Sequence, residues 1–210
     1  MLLGSDFAGK SSALAELRAA EPGWLVISSD AEFLGPQHSV VGDLRNLTGQ
    51  VLSSADSAYT PEFLTGLLQM AVLHLKDEVM RADSGIPVLV DSYYYKILAK
   101  CRLAGVRDNP MFTWWRSFPQ PRRIVHLEVS GDSAWRRCRE GADLNPLEYY
   151  GRRPARAGFD LYQRDLRRLM REETRDVPLA RIAECATPAE TAQNIREVLA
   201  HELVGEPLRP

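Results

Sequence analysis

Gly4-Ser5-Asp6-Phe7-Ala8-Gly9-Lys10-Ser11 is the stretch that decides how this chain is read. It fits the pattern G-x-x-x-x-G-K-[ST], which carries meaning only where a helix opens at its end and strands alternate with helices beyond it. The first condition is met at once, because Ala13, Leu14 and Leu17 repeat at helical spacing until Glu21-Pro22-Gly23 stops them. Glycines in such a loop let backbone N–H groups turn onto phosphate oxygens at a helix N-terminus, where the dipole also favours negative charge. Gly4, Asp6, Ala8, Gly9, Lys10, Ser11 and Ser12 are therefore expected to hold ATP, with Lys10 reaching the β- and γ-phosphates and Ser11 ligating Mg²⁺.

Outward from the loop, short apolar runs at residues 24–28, 87–90, 124–129 and 179–183 read as buried strands. Helical spacing occupies residues 40–53, 61–82, 94–103, 132–140, 159–174 and 188–204. Pro61 stands in the first turn of the second of these, and Thr187 with Glu190 forms a capping-box pattern before the last. Residues 109–121, with Trp114 and Trp115, read as loop-rich. Apolar strands alternating with helices predict an α/β chain of the P-loop NTPase type, with a five-stranded, mostly parallel sheet covered by helices on both faces. Only Met1-Leu2-Leu3 precede Gly4, so the first strand is expected to be cut short at the N-terminus, and residues 205–210 read as a disordered tail.

The 210 residues suit one domain, residues 1–210. A hydrophobic content of 45% with 26% charged residues is ordinary for a globular protein, and no run of about 18 apolar residues offers a membrane span. No membrane partner is expected, nothing marks the N-terminus for secretion, and the expected compartment is the cytoplasm. Cys101, Cys138 and Cys185 are widely spaced, without a C-x-x-C pair, and read as reduced thiols. Fourteen of the 22 arginines lie between Arg116 and Arg175, while lysine occurs only at positions 10, 76, 96 and 100. The near-neutral charge and the lack of aromatics among the basic residues argue against a nucleic-acid polymer as partner.

Asp30 and Asp91 sit where strands end, and ligands of open α/β sheets bind in the crevice outside those ends. A carboxylate there can hold Mg²⁺ or accept the proton of an attacking hydroxyl, and it can equally cap the next turn. Either residue is a candidate base, and Asp91 joins Ser11 as a candidate metal ligand.

With these pieces in order, the chain resembles the thymidylate kinase family of P-loop nucleotide kinases over almost its whole length. Gly4, Asp6, Gly9, Lys10 and Ser11 match the family's G-x-D-G-x-G-K-[ST], with Phe7 in place of the middle glycine, and Asp91-Ser92-Tyr93 stands at its Asp-Arg-Tyr. The resemblance implies transfer of the γ-phosphate of ATP to a small-molecule acceptor, a homodimer, and an Arg-rich lid at about residues 136–158. One or two of Arg136, Arg137, Arg139, Arg152, Arg153 and Arg156 are expected to touch phosphate, Arg137 and Arg153 first among them.

Three arginines that would clamp an acceptor phosphate in that family are missing. Ser92 stands at one position, residues 70–74 hold none, and Ser28-Ser29-Asp30-Ala31 lacks another. A bidentate guanidinium is hard to replace, so the acceptor is expected to be a nucleotide, nucleoside or other hydroxyl-bearing metabolite other than dTMP. Tyr93 and Tyr94 are candidate substrate contacts by stacking or hydrogen bonding, with Lys96 as an anion holder and Lys100 one helical turn on; Tyr94 and Tyr95 read equally well as core packing, and Lys96 as a surface residue. A dTMP kinase with a rearranged acceptor site and a P-loop ATPase switch without a small acceptor are the competing readings.

Overall fold

A computed structural model describes residues 1–53 and 58–203, the side chains of the last three excepted. The tail expected at residues 205–210 lies outside the described residues. Among the described residues five strands, β1 (Leu2–Gly4), β2 (Leu25–Ile27), β3 (Val88–Val90), β4 (Ile124–Leu127) and β5 (Leu179–Ile182), alternate with eight α-helices. The helices are α1 (Lys10–Ala20), α2 (Ser39–Ser53), α3 (Pro61–Arg81), α4 (Tyr93–Leu103), α5 (Pro110–Arg116), α6 (Gly131–Arg137), α7 (Arg156–Glu173) and α8 (Pro188–Leu203). All three strand pairings are parallel.

The single five-stranded sheet expected from the sequence is instead two sheets, β1-β4-β5 and β2-β3. They meet at one bridge, Leu2 to Asp91, which sets β3 beside β1. The reason lies in the backbone after β3. Ser92 and Tyr93 turn into the left-handed region at φ 56° and 45°, so the chain leaves extended geometry once the Ser92 N–H has donated to the Leu2 carbonyl.

Alternation along the strands builds a core on each face. Leu3, Ile27, Val90 and Ile124 point to one side, against α3, α4, α5 and α7. Leu2, Leu89, Val125 and Leu127 point to the other, against α1 and α8. Side chains start several helices where the sequence allows. Thr60 accepts from the Phe63 N–H, Asn109 from the Met111 N–H, and Ser130 from the Ser133 N–H. Thr187 accepts from the Glu190 N–H, while the Glu190 carboxylate reaches the Ala186 N–H.

Several boundaries differ from expectation, among them the start of α7 at Arg156, three residues early and inside the segment expected as lid. Helix α5 occupies the segment read as loop-rich, because Asn109-Pro110 supplies a cap and a first-turn proline. Helix α6 ends at Arg137 because Arg139 and Glu140 adopt φ of 49° and 53°, which no helix continues through. All three cysteines are free thiols, and burial raises the Cys101 thiol to about 11. No helix among the described residues is long and apolar enough to cross a membrane.

Candidate active site

A cleft of about 710 Å³ opens at the carboxyl ends of β1, β2 and β3. At one end lies the glycine-rich loop, Asp6 to Ser12 all lining it. Gly9 caps α1 at φ 87° and no side chain caps the helix, so first-turn N–H groups face the cleft without a side-chain partner. A Cβ at Gly4 would come within 3.0 Å of the Leu127 carbonyl oxygen, which makes glycine the residue that lets the loop sit on β4. Phe7 holds φ 60° although it is not glycine, and its ring meets Phe159 at 6.3 Å.

Asp6 anchors the loop from beneath. Its carboxylate takes Lys96 Nζ at 2.7 Å and Lys100 Nζ at 3.0 Å, and accepts from Gln163 Nε2 at 2.9 Å. The Asp6 N–H donates to Gln163 Oε1 at 3.0 Å, and Lys100 also meets Glu148 at 3.4 Å. Burial pushes the Asp6 carboxyl up, but the Lys100 and Lys96 ammonium groups outweigh it and hold it well below the usual carboxylate range. The Asp6 carboxylate is thus occupied by the protein itself. Lys96 and Lys100, one turn apart on α4, meet that carboxylate and line the cleft.

Behind the loop, Ser11 Oγ donates to Asp30 Oδ2 at 2.7 Å. Ser28 Oγ donates to Asp91 Oδ2 at 3.2 Å and accepts from the Asp30 N–H at 3.1 Å, so one serine ties the two candidate acids together. Ser92 Oγ donates to Asp91 Oδ1 at 2.8 Å. Burial raises the Asp30 carboxyl, yet a hydrogen bond and charge from Arg45, the Ser11 hydroxyl and the Lys10 charge together hold it below its ordinary value. An oxygen-donor set of Ser11, Asp30 and Asp91 beside uncapped N–H groups fits the hard, oxygen-seeking chemistry of Mg²⁺ and the anionic chemistry of a polyphosphate.

The other end of the cleft is aliphatic. Helix α2 contributes Val41, Leu44 and Leu52 and helix α3 Leu67, Leu68, Ala71 and Leu75. Helix α2 has no fully buried residue, so its inward stripe covers the cleft without joining a core. Arg45 on the same stripe pairs with Asp30 and donates to the Ser29 carbonyl at 3.2 Å. The sequence reading missed this residue. The signal was there in the spacing of Val41, Leu44, Arg45 and Thr48, one helical face, but nothing local says what that face looks at.

The remaining candidates divide. Tyr93 lines the cleft, and its buried hydroxyl has no hydrogen-bond partner among the described residues. Tyr94 is buried in the core, stacked on Tyr95 at 4.2 Å with its hydroxyl on Gln120, and lines no part of the cleft. Arg137 lines the cleft, donating to the Phe7 carbonyl at 3.2 Å and pairing with Glu184 at 3.1 Å. Of the six arginines at 136–156 it alone does so. Arg139 pairs with Asp143, Arg156 pairs with Asp132 and Asp160, and Arg153 is exposed away from the cleft. Trp115 is core and Trp114 half-exposed, neither of them at the cleft.

The fold and site define an α/β architecture in which a glycine-rich loop opens a helix and two strand-end carboxylates face the same cleft, Asp30 on the loop serine and Asp91 joined to it through Ser28. Compared with solved structures, the chain has the fold of the thymidylate kinase-like nucleotide kinases. It is similar to thymidylate kinase from Candida albicans at 13% identity and a TM-score of 0.64, covering 100% of this chain and 93% of that one. It is also similar to deoxyadenosine kinase from M. mycoides, solved with dCMP and dCDP, at 12% identity and a TM-score of 0.62 over 96% and 97% of the two chains. The dATP-bound structure of that enzyme gives 11% identity and a TM-score of 0.59 over 95% and 97%. No protein-family model and no curated protein matches the sequence.

Proposed function

We propose that this protein is an ATP- and Mg²⁺-dependent cytoplasmic phosphotransferase whose acceptor is a small hydroxyl-bearing molecule with an aliphatic face and no phosphate of its own. The observation that carries this is the acceptor end of the cleft, walled by leucine, valine and alanine from α2 and α3, with its one guanidinium, Arg45, committed to Asp30. Apolar walls contribute on the order of 25 cal/mol per Å² of apolar surface covered, and they offer a phosphate nothing. The fully buried placement of Tyr94 supports the same reading by removing one of the two candidate stacking rings for a nucleobase.

In this reading the loop N–H groups and Lys10 bind the β- and γ-phosphates, and Ser11 and Asp91 hold Mg²⁺, which supplies charge neutralisation when bound. Ser28 and Ser92 orient Asp91 from both of its oxygens. Asp30, kept ionised by Arg45, accepts the proton of the acceptor hydroxyl as its oxygen bonds to the γ-phosphorus and the bond to the departing ADP oxygen breaks. Arg137 faces the phosphates to stabilise charge in transfer, while Tyr93, its hydroxyl buried, contributes only ring surface to the cleft wall. Arg153 takes part only if residues 136–158 close over the cleft.

The test is ADP formation from Mg·ATP with dTMP, thymidine, a panel of aliphatic alcohols and amino-alcohols, or no acceptor. Expected is acceptor-stimulated turnover by an uncharged hydroxyl compound, weak or absent with dTMP, and lost in Lys10→Ala. Strong dTMP-dependent turnover would overturn the acceptor reading in favour of a rearranged dTMP kinase. ATP loss indifferent to any acceptor would instead mark a switch ATPase.

A further inference from the structure

Where the turn before α2 meets α3, His38, His74 and Glu78 converge, with one ligand atom from each lying within 4.8 Å of the others. His74 and Glu78 are one turn apart on α3, and His38 closes the short 3₁₀ turn Pro36–His38 that leads directly into α2. The two imidazoles meet edge to face at 4.7 Å, and His38 Nε2 lies 3.7 Å from Glu78 Oε1. All three residues are half-buried.

We infer that His38, His74 and Glu78 form a binding site for a divalent transition-metal ion of the Zn²⁺ type, which ties the start of α2 to α3. The donor chemistry selects the ion. Two imidazole nitrogens and one carboxylate oxygen suit Zn²⁺ or Co²⁺, whereas Mg²⁺ takes oxygen donors and belongs at Ser11. In a tetrahedral set with bonds of about 2.0–2.1 Å the donors stand roughly 3.4 Å apart, so side-chain rotations of this cluster suffice to close it. Burial, followed by the neighbouring His38, lowers the His74 imidazole from its ordinary value and favours the neutral form that a metal requires. Arg81 holds Glu78 Oε1 at 2.8 Å from an exposed position, and the ion displaces it or takes the second carboxylate oxygen.

The consequence is mechanical. Val41, Leu44 and Arg45 line the cleft less than two turns beyond His38, and Ala71 and Leu75 line it from the helix that carries His74. A bound ion therefore restrains the helical wall that α2 and α3 give the cleft. The site does not depend on the kinase reading, since three ligands from α3 and the turn before α2 define it.

The probe is Co²⁺ added to the full chain after chelator treatment, followed by visible absorption and calorimetry, with Zn²⁺ as competitor. Expected is one equivalent of Co²⁺, displaced by Zn²⁺, bound about tenfold or more weakly in each of His38→Gln, His74→Gln and Glu78→Gln, and unchanged in Ser11→Ala. Circular dichroism identifies any variant that misfolds, and His38→Gln, in a surface turn, keeps the test alive if an α3 variant fails. Hydrogen exchange reads the brace, and Zn²⁺ should slow exchange across residues 36–45. No Co²⁺ binding, binding that survives all three substitutions, or loss of binding in Ser11→Ala would overturn the site. Binding without slowed exchange would overturn the brace.

Discussion

Replacing Asp6 by alanine removes one carboxylate from between two ammonium groups at 2.7 and 3.0 Å, in a spot where all three side chains are largely shielded from water. At an effective dielectric near 20 each such pair represents a gross attraction of about 4 kcal/mol at 4 Å between charge centres, most of it offset by the cost of desolvation. What the substitution exposes is the asymmetry, because Lys96 and Lys100 lose their shared counter-charge without regaining water. Breaking a buried pair from one side costs about 3–5 kcal/mol, which at an m-value near 2 kcal/mol/M lowers the urea midpoint by roughly 1.5–2.5 M.

Far-UV circular dichroism in urea measures that midpoint. Lys96→Met, which leaves Asp6 with Lys100 and Gln163, should cost less, and the double variant should fall short of the sum of the two. The pH sign follows from the depressed Asp6 carboxyl. Its contribution is complete above the unfolded-state value of about 3.9 and fades as pH falls below it toward the folded-state value, so wild type and Asp6→Asn converge on acidification. A loss under about 1 kcal/mol in Asp6→Ala, or a gap that widens in acid, would refute the role given to Asp6.

Arg45→Ala strips Asp30 of the cation that contributes most to lowering it, so Asp30 should titrate at higher pH and the acid limb of the kcat/KM profile should move up in step. Phe7→Gly relieves a left-handed backbone cost of about 1–2 kcal/mol and forfeits a ring contact of about 0.5–1.5, leaving stability near that of wild type. Phe7→Val keeps the strain, loses the contact, and should be the less stable of the two by thermal melting. Asp30→Asn and Asp91→Asn should both lower turnover, and only Asp91→Asn should raise the Mg²⁺ concentration needed for half-maximal rate.

The turn from Gly4 to Ser12 and the helix that opens from it were legible because the pattern is written in consecutive residues. Helix α3 was legible because its apolar period runs over five turns. Other features depend on partners far along the chain. Lys96 and Lys100 stand out in a lysine-poor sequence, and their spacing puts them on one helical face, but no local pattern says that Asp6 lies opposite. Tyr94 reads equally well as a stacking ring or as core until Tyr95 and Gln120 are seen around it. The division of the strands into two sheets turns on backbone torsions at Ser92 and Tyr93, positions where neither residue advertises a left-handed turn. Helix α2 was expected, yet its role as a wall was not, since an amphipathic stripe names no neighbour.

The anchoring of Asp6 also determines whether this glycine-rich loop is portable. Its eight consecutive residues have the look of a self-contained cassette, yet the third is fastened by side chains about ninety and more than 150 positions away, on α4 and α7. Grafted alone onto another strand and helix, the loop would carry an aspartate aimed at nothing and would relax away from its inward-facing shape. A functional transplant has to bring Lys96, Lys100 and Gln163 with it.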